Sequence, residues 1–410
     1  MVDFARIATL LDARRQGHAL PQGLYVDPEA FAFDQLAIHR RSWILIGFEV
    51  EFPRAGSHMA LTIAGAPIFV VRGQDRALRG FHNTCRHRGS RILPDGKGQS
   101  ARLVCPYHRW AYDLTGALAH ASRMGDDFAA CDHGLGAIQV ETCAGAVYVC
   151  LDDDPPAFEP FRAALTPLLA PHRLAEAKLA HETSLIERGN WKLAMENARE
   201  CYHCATGHPE LALTFPTGVS GNFDYGAEAR RHADYNARMA EVGLAVGPHE
   251  GDWWQAIRFP LNEGCRSMTI DGRTAVRKLM VEAGDGDIGS LRWSIEPHSF
   301  VHATADFLFM FSALPLSPKE TLIVSKWLVH KDAAEGVDYD LAHLTELWNR
   351  TNQQDLALVE NNQHGVDSPG YRPGPYCADA EALTMRFTDW YCAKARAFLK
   401  DGEYLEHAHG

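Results

Sequence analysis

The alternation of apolar and polar positions divides the chain into three stretches. Residues 1–42 carry short amphipathic helical runs around an extended stretch at 20–26. From Trp43 onward the period shortens to two. Runs at 58–63, 67–72 and 146–151 alternate like strands and are cut by Gly, Pro and Asp, which predicts a small antiparallel β domain over 43–155. The D-D-D-P-P at 152–156 reads as its exit linker. Helical periodicity returns at 187–205, and strand-like runs follow at 290–295, 304–311 and 321–329. A long amphipathic helix is expected from Tyr339 to Gln363, stopping at Gly365. Strands bracketed by helices predict an α+β chain. Its second domain, 156–410, holds an antiparallel sheet flanked by helices, with the 1–42 segment packed against it.

Acidic residues outnumber basic ones by 52 to 40, a net charge of −12. That balance argues against nucleic acid or an anionic membrane as partner. No apolar run is long enough for a bilayer span and the N-terminus has no signal-peptide core, so a cytoplasmic protein is expected. Ten scattered cysteines are too few for a disulfide scaffold, which leaves metal ligation, catalysis or burial as their uses in a reducing compartment. Histidines number 21, more than packing requires, so clusters of Cys with His are the candidates for chemistry.

The first cluster is C-R-H-R-G at 85–89 with C-P-Y-H-R-W at 105–110. Cys85, His87, Cys105 and His108 sit in two tight loops between predicted strands, with Gly89 and Pro106 as turn residues. Two Cys and two His suffice for a structural zinc. Zinc fingers, however, usually pair Cys with Cys and His with His, whereas each loop here brings one of each. That division suits a two-iron cluster with both cysteines on one iron and both histidines on the other. Neutral imidazoles in place of two thiolates lower the negative charge and raise the potential.

The second cluster lies in N-W-K-L-A-M-E-N-A-R-E-C-Y-H-C-A-T-G-H-P-E, residues 190–210. On a helix Glu200 and His203 share a face. His208 would point about 140° away from His203 on a continuous helix, but Gly207 and Pro209 end the helix and let it swing back. Two histidines and one carboxylate form a facial triad with positions open for O2. Asp355 is the candidate third ligand, because it falls on the apolar stripe of the late helix, where a bare charge is costly. Glu360, off that stripe, is the fallback. Asn197 is a candidate for the iron pocket.

The loops at 85–89 and 105–110 resemble the Rieske domain of ring-hydroxylating-type oxygenases. The N-W-K…E-N-x-x-E-C-Y-H…H-P-E run resembles the catalytic motif of Rieske oxygenases acting on quaternary amines. That branch includes glycine betaine, stachydrine, choline and carnitine oxygenases. With the late Q-Q-D…E-N-N-Q-H-G-V-D-S-P-G-Y stretch, the resemblance covers most of the chain. It implies a [2Fe–2S] cluster, a mononuclear Fe(II) and a helix-grip-like second domain. Asp355 would be the third iron ligand. Glu200 would bridge His203 to His108 of a neighbouring subunit in a head-to-tail homotrimer. The implied function is the oxygenase component of a two-component monooxygenase that N-demethylates a small quaternary amine, glycine betaine first, with O2 and release of formaldehyde. Electrons would come from a separate flavin and iron–sulfur reductase using NAD(P)H. The alternative is an aromatic-ring hydroxylating dioxygenase alpha subunit.

A permanent cation is best held by aromatic faces, and Tyr202, Trp253, Trp254 and Phe259 are the candidate cage. Arg266 or Arg273 is the candidate for a substrate carboxylate. Other signals carry less. Gly284-x-Gly286-x2-Gly289 has the dinucleotide spacing, but acidic residues lie inside it and a strand-like run follows, so a glycine-rich loop is expected. Cys201 and Cys204 read as small packing residues. Asn349-Arg-Thr falls within a helix, and His82, His120 and His181 receive no role.

Overall fold

The computed structural model describes residues 2–216 and 227–400. Among these residues no helix is long and apolar enough to cross a membrane. The chain forms two compact units, one of residues 39–158 and one of residues 1–38 with 159–410.

The smaller unit is built on a seven-stranded sheet and a three-stranded one. Two of its hairpins close on the same dipeptide. Ala64 and Gly65 join strands Ser57–Ile63 and Ala66–Arg72, and Ala144 and Gly145 join Ala137–Cys143 and Ala146–Cys150. All four turn residues have positive φ, 48° and 73° in one turn and 47° and 96° in the other. Two-residue turns of that hand match the twist of the paired strands, and glycine adopts the conformation without a Cβ clash. Below the short strands Leu103–Val104, Ala111–Tyr112 and Leu118–His120, Cys85 and Cys105 are buried among Phe69, Phe81, Trp110 and Tyr112.

The larger unit holds a seven-stranded antiparallel sheet. Its strand order is Ala177–Glu187, Glu320–His330, Phe307–Ser317, Ser299–Ala303, Ser290–Ile295, Trp254–Phe259 and His249–Gly251. Ile257 stands opposite Arg292, Arg292 opposite His302, and His302 opposite Phe309, with Phe300 opposite Phe311 two residues along. Paired positions project to the same side, so one face carries an aromatic patch with a single arginine in it. The long helix Leu341–Asp367 lies on this face, where Trp348 stacks on Phe309 (4.1 Å, 8°) and on His302 (5.3 Å, 29°). Asp340 caps its start by accepting from the His343 amide (2.9 Å). The helix runs through Gly365 and stops at Ser368, the residue that Pro369 disfavours in a helix.

Beyond this later helix end, two expectations change here. Residues 22–26 are a short helix rather than extended, entered from Pro21 at φ −54°. The helix expected over 187–205 is broken. Residues up to Glu187 belong to the sheet, Trp191–Ala198 is helical, and the next helical turn is Cys204–Gly207. A buried polar knot fixes the first of these helices. Asp34 accepts from Trp191 Nε1 (3.0 Å), from the Tyr391 hydroxyl (2.8 Å) of the C-terminal helix Ala382–Lys400, and from the Lys192 ammonium. Both charged side chains of the Lys192–Asp34 pair are 0% exposed.

Candidate metal centres and the adjoining cavity

The two loops of the smaller unit are built alike. The Cys85 amide donates to Ser90 O (2.9 Å) while its carbonyl accepts from Gly89 N (2.9 Å). The Cys105 amide donates to Trp110 O (2.8 Å) while its carbonyl accepts from Arg109 N (3.1 Å). In each loop the fourth residue after the cysteine is left-handed, Gly89 at φ 74° and Arg109 at φ 62°. This turn presents His87 beside His108, with ring centroids 4.6 Å apart, and His87 stacks on Trp110 (4.8 Å, 8°). The cysteines are buried, His87 is exposed and His108 half-buried. Burial works to raise the Cys105 pKa, but the Tyr107 and His108 amides and the Cys85 thiol outweigh it and leave it below the usual thiol range. The Tyr112 hydroxyl lies 3.3 Å from Cys85 Sγ. Sulfurs met by N–H and O–H donors are suited to carry thiolate charge, so the donor set fits an iron–sulfur cluster.

In the larger unit, Asn190 caps the helix Trp191–Ala198 by accepting from Lys192 N (3.0 Å). Gly189 lies so near the long helix that a Cβ there would stand 2.6 Å from Val359 Cγ1. After Ala198 the chain turns. Glu200 accepts from the amides of Tyr202 and His203 (3.3 Å for the latter) and meets His203 Nδ1. The contact between Glu200 and His203 is thus made by a turn and not by the helix face expected from the spacing. His208 leaves helical geometry at φ −131°, ψ 68° and comes back toward His203. Cys201 and Cys204, expected as separate packing residues, are joined in a disulfide. The turn brings their Cα atoms within 4.8 Å, inside bonding range.

His203 Nε2 lies 3.1 Å from His208 Nε2, and Asp355 Oδ1 lies 2.9 Å from His208 Nε2 and 3.5 Å from His203 Nε2. Both Nδ1 atoms face carboxylate or amide acceptors, Glu200 Oε1 for His203 and Gln354 Oε1 (2.8 Å) for His208. Each Nδ1 therefore carries the proton, and both Nε2 lone pairs aim inward. Asp355 Oδ1 is buried and receives no donor. Three lone pairs converging in a half-buried site need a cation between them. Ligands about 2.1 Å from a metal and at right angles stand about 3 Å apart, and two of the three pairs are at 2.9 and 3.1 Å with the third at 3.5 Å. Without a metal, protons take its place. Burial lowers the His203 pKa, yet the Asp355 and Glu200 carboxylates push it up to about 9, and Asp355 also raises His208. Gln354, which holds His208 in place, is a candidate functional residue that spacing alone does not mark. Glu360, the alternative ligand, instead accepts from Arg188 N (3.1 Å).

A cavity of about 290 Å³ opens onto these three donors, its wall including Asn197, Glu200, Phe259, Arg292, Phe300 and Trp348.

Residues 42–136 match the Rieske [2Fe-2S] domain, and residues 174–396 match the ring hydroxylating alpha subunit (catalytic domain). The chain belongs to the Rieske ring-hydroxylating alpha subunit family. Its cofactors are accordingly a [2Fe–2S] cluster and a non-haem iron, and it is an oxygenase. It is similar to the glycine betaine monooxygenase oxygenase subunit of Pseudomonas aeruginosa, 40% identical over 94% of this chain and 90% of the relative. The same-named subunit of Chromohalobacter salexigens is 41% identical over 94% and 87%. The crystal structure of the quaternary ammonium Rieske monooxygenase CntA with an inhibitor superposes at TM-score 0.73 with 20% identity, covering 94% of this chain and 98% of that one.

In this Rieske oxygenase the cavity wall differs from the expected cage. Phe259 and Asn197 line it. Trp253 and Trp254 pack on Phe161 (4.9 and 5.5 Å) and lie outside the wall. Trp254 is one residue out of phase with Gln255, Ile257 and Phe259, and in a strand a shift of one turns a side chain to the other face. Tyr202 is 67% exposed. Neither expected arginine reaches the cavity. Arg266 donates to Asp285 O (2.7 Å), and the Arg273 side chain is 85% exposed. The basic residue in the aromatic patch is Arg292, whose sequence signal was a lone charge between the buried residues of S-L-R-W-S-I.

Proposed function

We propose that this chain is the oxygenase component of a two-component Rieske monooxygenase that removes an N-methyl group from a small quaternary amine, glycine betaine first, releasing formaldehyde. One observation carries the reading: the three converging lone pairs of His203, His208 and Asp355 lie at the edge of a cavity walled by aromatic rings. Cys85 and Cys105 would hold one iron of the cluster and His87 and His108 the other. His203, His208 and Asp355 would hold the lone iron. When bound, the cluster relays single electrons and the lone iron activates O2 against an N-methyl C–H.

The residues around these groups bind and orient. Glu200 and Gln354 hold the two imidazoles in the tautomer that leaves Nε2 free. Phe300, Phe311 and Trp348 offer ring faces to a trimethylammonium group, each contributing about 0.5–2 kcal/mol. The solvent-facing imidazoles of His87 and His108 support transfer out of the cluster through its histidine edge. Glu200 would accept an N–H from His108 of a second copy in a head-to-tail homotrimer. Electrons come from a separate reductase, which we take to be a flavin and iron–sulfur protein using NADH or NADPH in the cytoplasm. The glycines at 284, 286 and 289 lead into strand Ser290–Ile295, which leaves them no helix N-terminus for a dinucleotide.

The test is to load the protein anaerobically, count iron, and supply reductase, NADH and O2 with a panel of quaternary amines. About three irons per chain and formaldehyde from glycine betaine are expected. Absence of ligand-dependent O2 uptake across the panel, or a diol formed from an arene instead, would overturn the proposal.

A further inference from the structure

Arg292 stands apart from the other cations near the oxygenase cavity. It projects from strand Ser290–Ile295 between Ile257 and His302, half-buried, with its guanidinium 5.6 Å from the Phe300 ring. Among the described residues its side chain makes a single hydrogen bond, a donation from Nη2 to the Ala198 carbonyl (3.3 Å). Among the described residues no carboxylate lies within ion-pairing distance of it. A guanidinium has five N–H donors in a rigid fork, so most of its capacity faces the cavity without a protein acceptor.

The neighbouring charges are engaged elsewhere, apart from the Nη1 of Arg199, which is itself buried. Arg199, also in the wall, gives its fork to Glu296 (2.8 and 3.2 Å) and to the Ile295 carbonyl (3.0 Å). Glu250 is met by Arg386 at the cavity margin. His302, stacked beside Trp348, is held neutral by burial and by the nearby Arg292 charge. The wall thus offers aromatic faces for a cation and one open fork for an anion.

We propose that Arg292 binds the carboxylate of the substrate and so selects zwitterionic N-methylated amino acids over quaternary ammonium ions that lack a carboxylate. The inference rests on the demethylase reading given above and names the residue that sets its substrate class. A planar carboxylate takes two parallel N–H bonds from a guanidinium, which fixes its orientation as well as its affinity. The trimethylammonium end would then be left to the aromatic rings of the same wall, Phe311 and Trp348 among them, in the cavity that His203, His208 and Asp355 also line. Burial, and next to it the charge of Arg199, lower the Arg292 pKa to about 10, so the group stays charged at neutral pH. An uncompensated charge in an aromatic wall is costly unless a ligand partners it.

Two ligands sharing a trimethylammonium head separate the effects: glycine betaine, with a carboxylate, and choline, with a hydroxyl. Their binding to the metal-loaded protein is measured by anaerobic calorimetry, and formaldehyde release is measured with reductase. In Arg292→Gln the Kd and KM for glycine betaine should rise about 30-fold or more, with kcat changing less, while choline binding stays within about threefold. Arg292→Lys keeps the charge but not the fork and should fall between. On the wild-type protein the methyl ester of glycine betaine should bind no better than choline, a measurement that does not depend on any variant folding. The proposal is overturned if Arg292→Gln leaves betaine binding unchanged, if it weakens choline equally, or if the ester binds as tightly as the acid. Should wild-type protein release no formaldehyde from any amine, the demethylase reading falls instead, and the calorimetry still reports on Arg292.

Discussion

Replacing Gln354 by leucine should weaken iron binding by about 10- to 100-fold, although this side chain would not touch the metal. The His208 side chain is 1% exposed, and its Nδ1–H donates to Gln354 Oε1 at 2.8 Å. The amide is itself fixed. Its Nε2 donates to Glu210 Oε2 (2.9 Å), and Arg350 donates to the other oxygen of that carboxylate (3.0 Å). Leucine offers no acceptor, which leaves His208 two options. It keeps the Nδ1 proton as an orphaned buried donor, at a cost of about 1–3 kcal/mol. Otherwise it moves the proton to Nε2, which removes the lone pair directed at Asp355 and His203. Either route lowers affinity by about 1.4–2.8 kcal/mol, the same 10- to 100-fold. Glu210→Gln breaks only the next link, where the side chain is 24% exposed, and should cost less than about 1 kcal/mol. Anaerobic competition with an Fe(II) chelator measures both variants, and the visible spectrum of the cluster reports that the smaller unit is folded and loaded. If Gln354→Leu holds iron within twofold of wild type with that spectrum intact, the tautomer argument is wrong.

Two further predictions concern the scaffold under the iron site. Asp34→Asn leaves the fully buried Lys192 ammonium without a counter-charge and should cost about 3–5 kcal/mol in a denaturant titration; a loss under about 1 kcal/mol would refute the pairing. Glu196, half-buried and hydrogen-bonded by the hydroxyls of Tyr25 (2.7 Å) and Tyr376 (3.0 Å), has its pKa raised by desolvation to about 7. The folded state therefore retains a proton that the unfolded state releases near pH 4.5, so this group's stabilisation is full below that pH and is lost as pH rises toward 7, about 3 kcal/mol in all. Urea melts at pH 5 and pH 8 should show a smaller pH dependence in Glu196→Gln than in wild type; equal slopes would refute the assignment.

How far the site can be read from the chain depends on whether its residues come from one segment or from several strands. The candidate ligands Cys85, His87, Cys105 and His108, and likewise His203 and His208, each lie within a short loop whose spacing is itself the chemical signal. That signal survives an error in local geometry. Glu200 and His203 meet in a turn rather than on a helix, because a separation of three brings side chains together in both. The same ambiguity hid the Cys201–Cys204 disulfide. Asp355 was visible because an acid on an apolar helix stripe calls for a partner. The cavity wall has no such signature. Phe259, Arg292, Phe300 and Phe311 come from four strands, and which of two alternating sets faces the helix depends on a register that no single strand encodes. Choosing by residue type therefore selected Trp254, one position out of phase, and arginines outside the sheet. The ligand triad and its acceptors occupy one segment and one helix turn, whereas the groups that would discriminate between amines are spread over the sheet. A change at a single strand position such as Arg292 can then alter which amine is accepted without moving the ligands of the iron, and an acidic or apolar residue at that position should shift preference toward cations that carry no carboxylate.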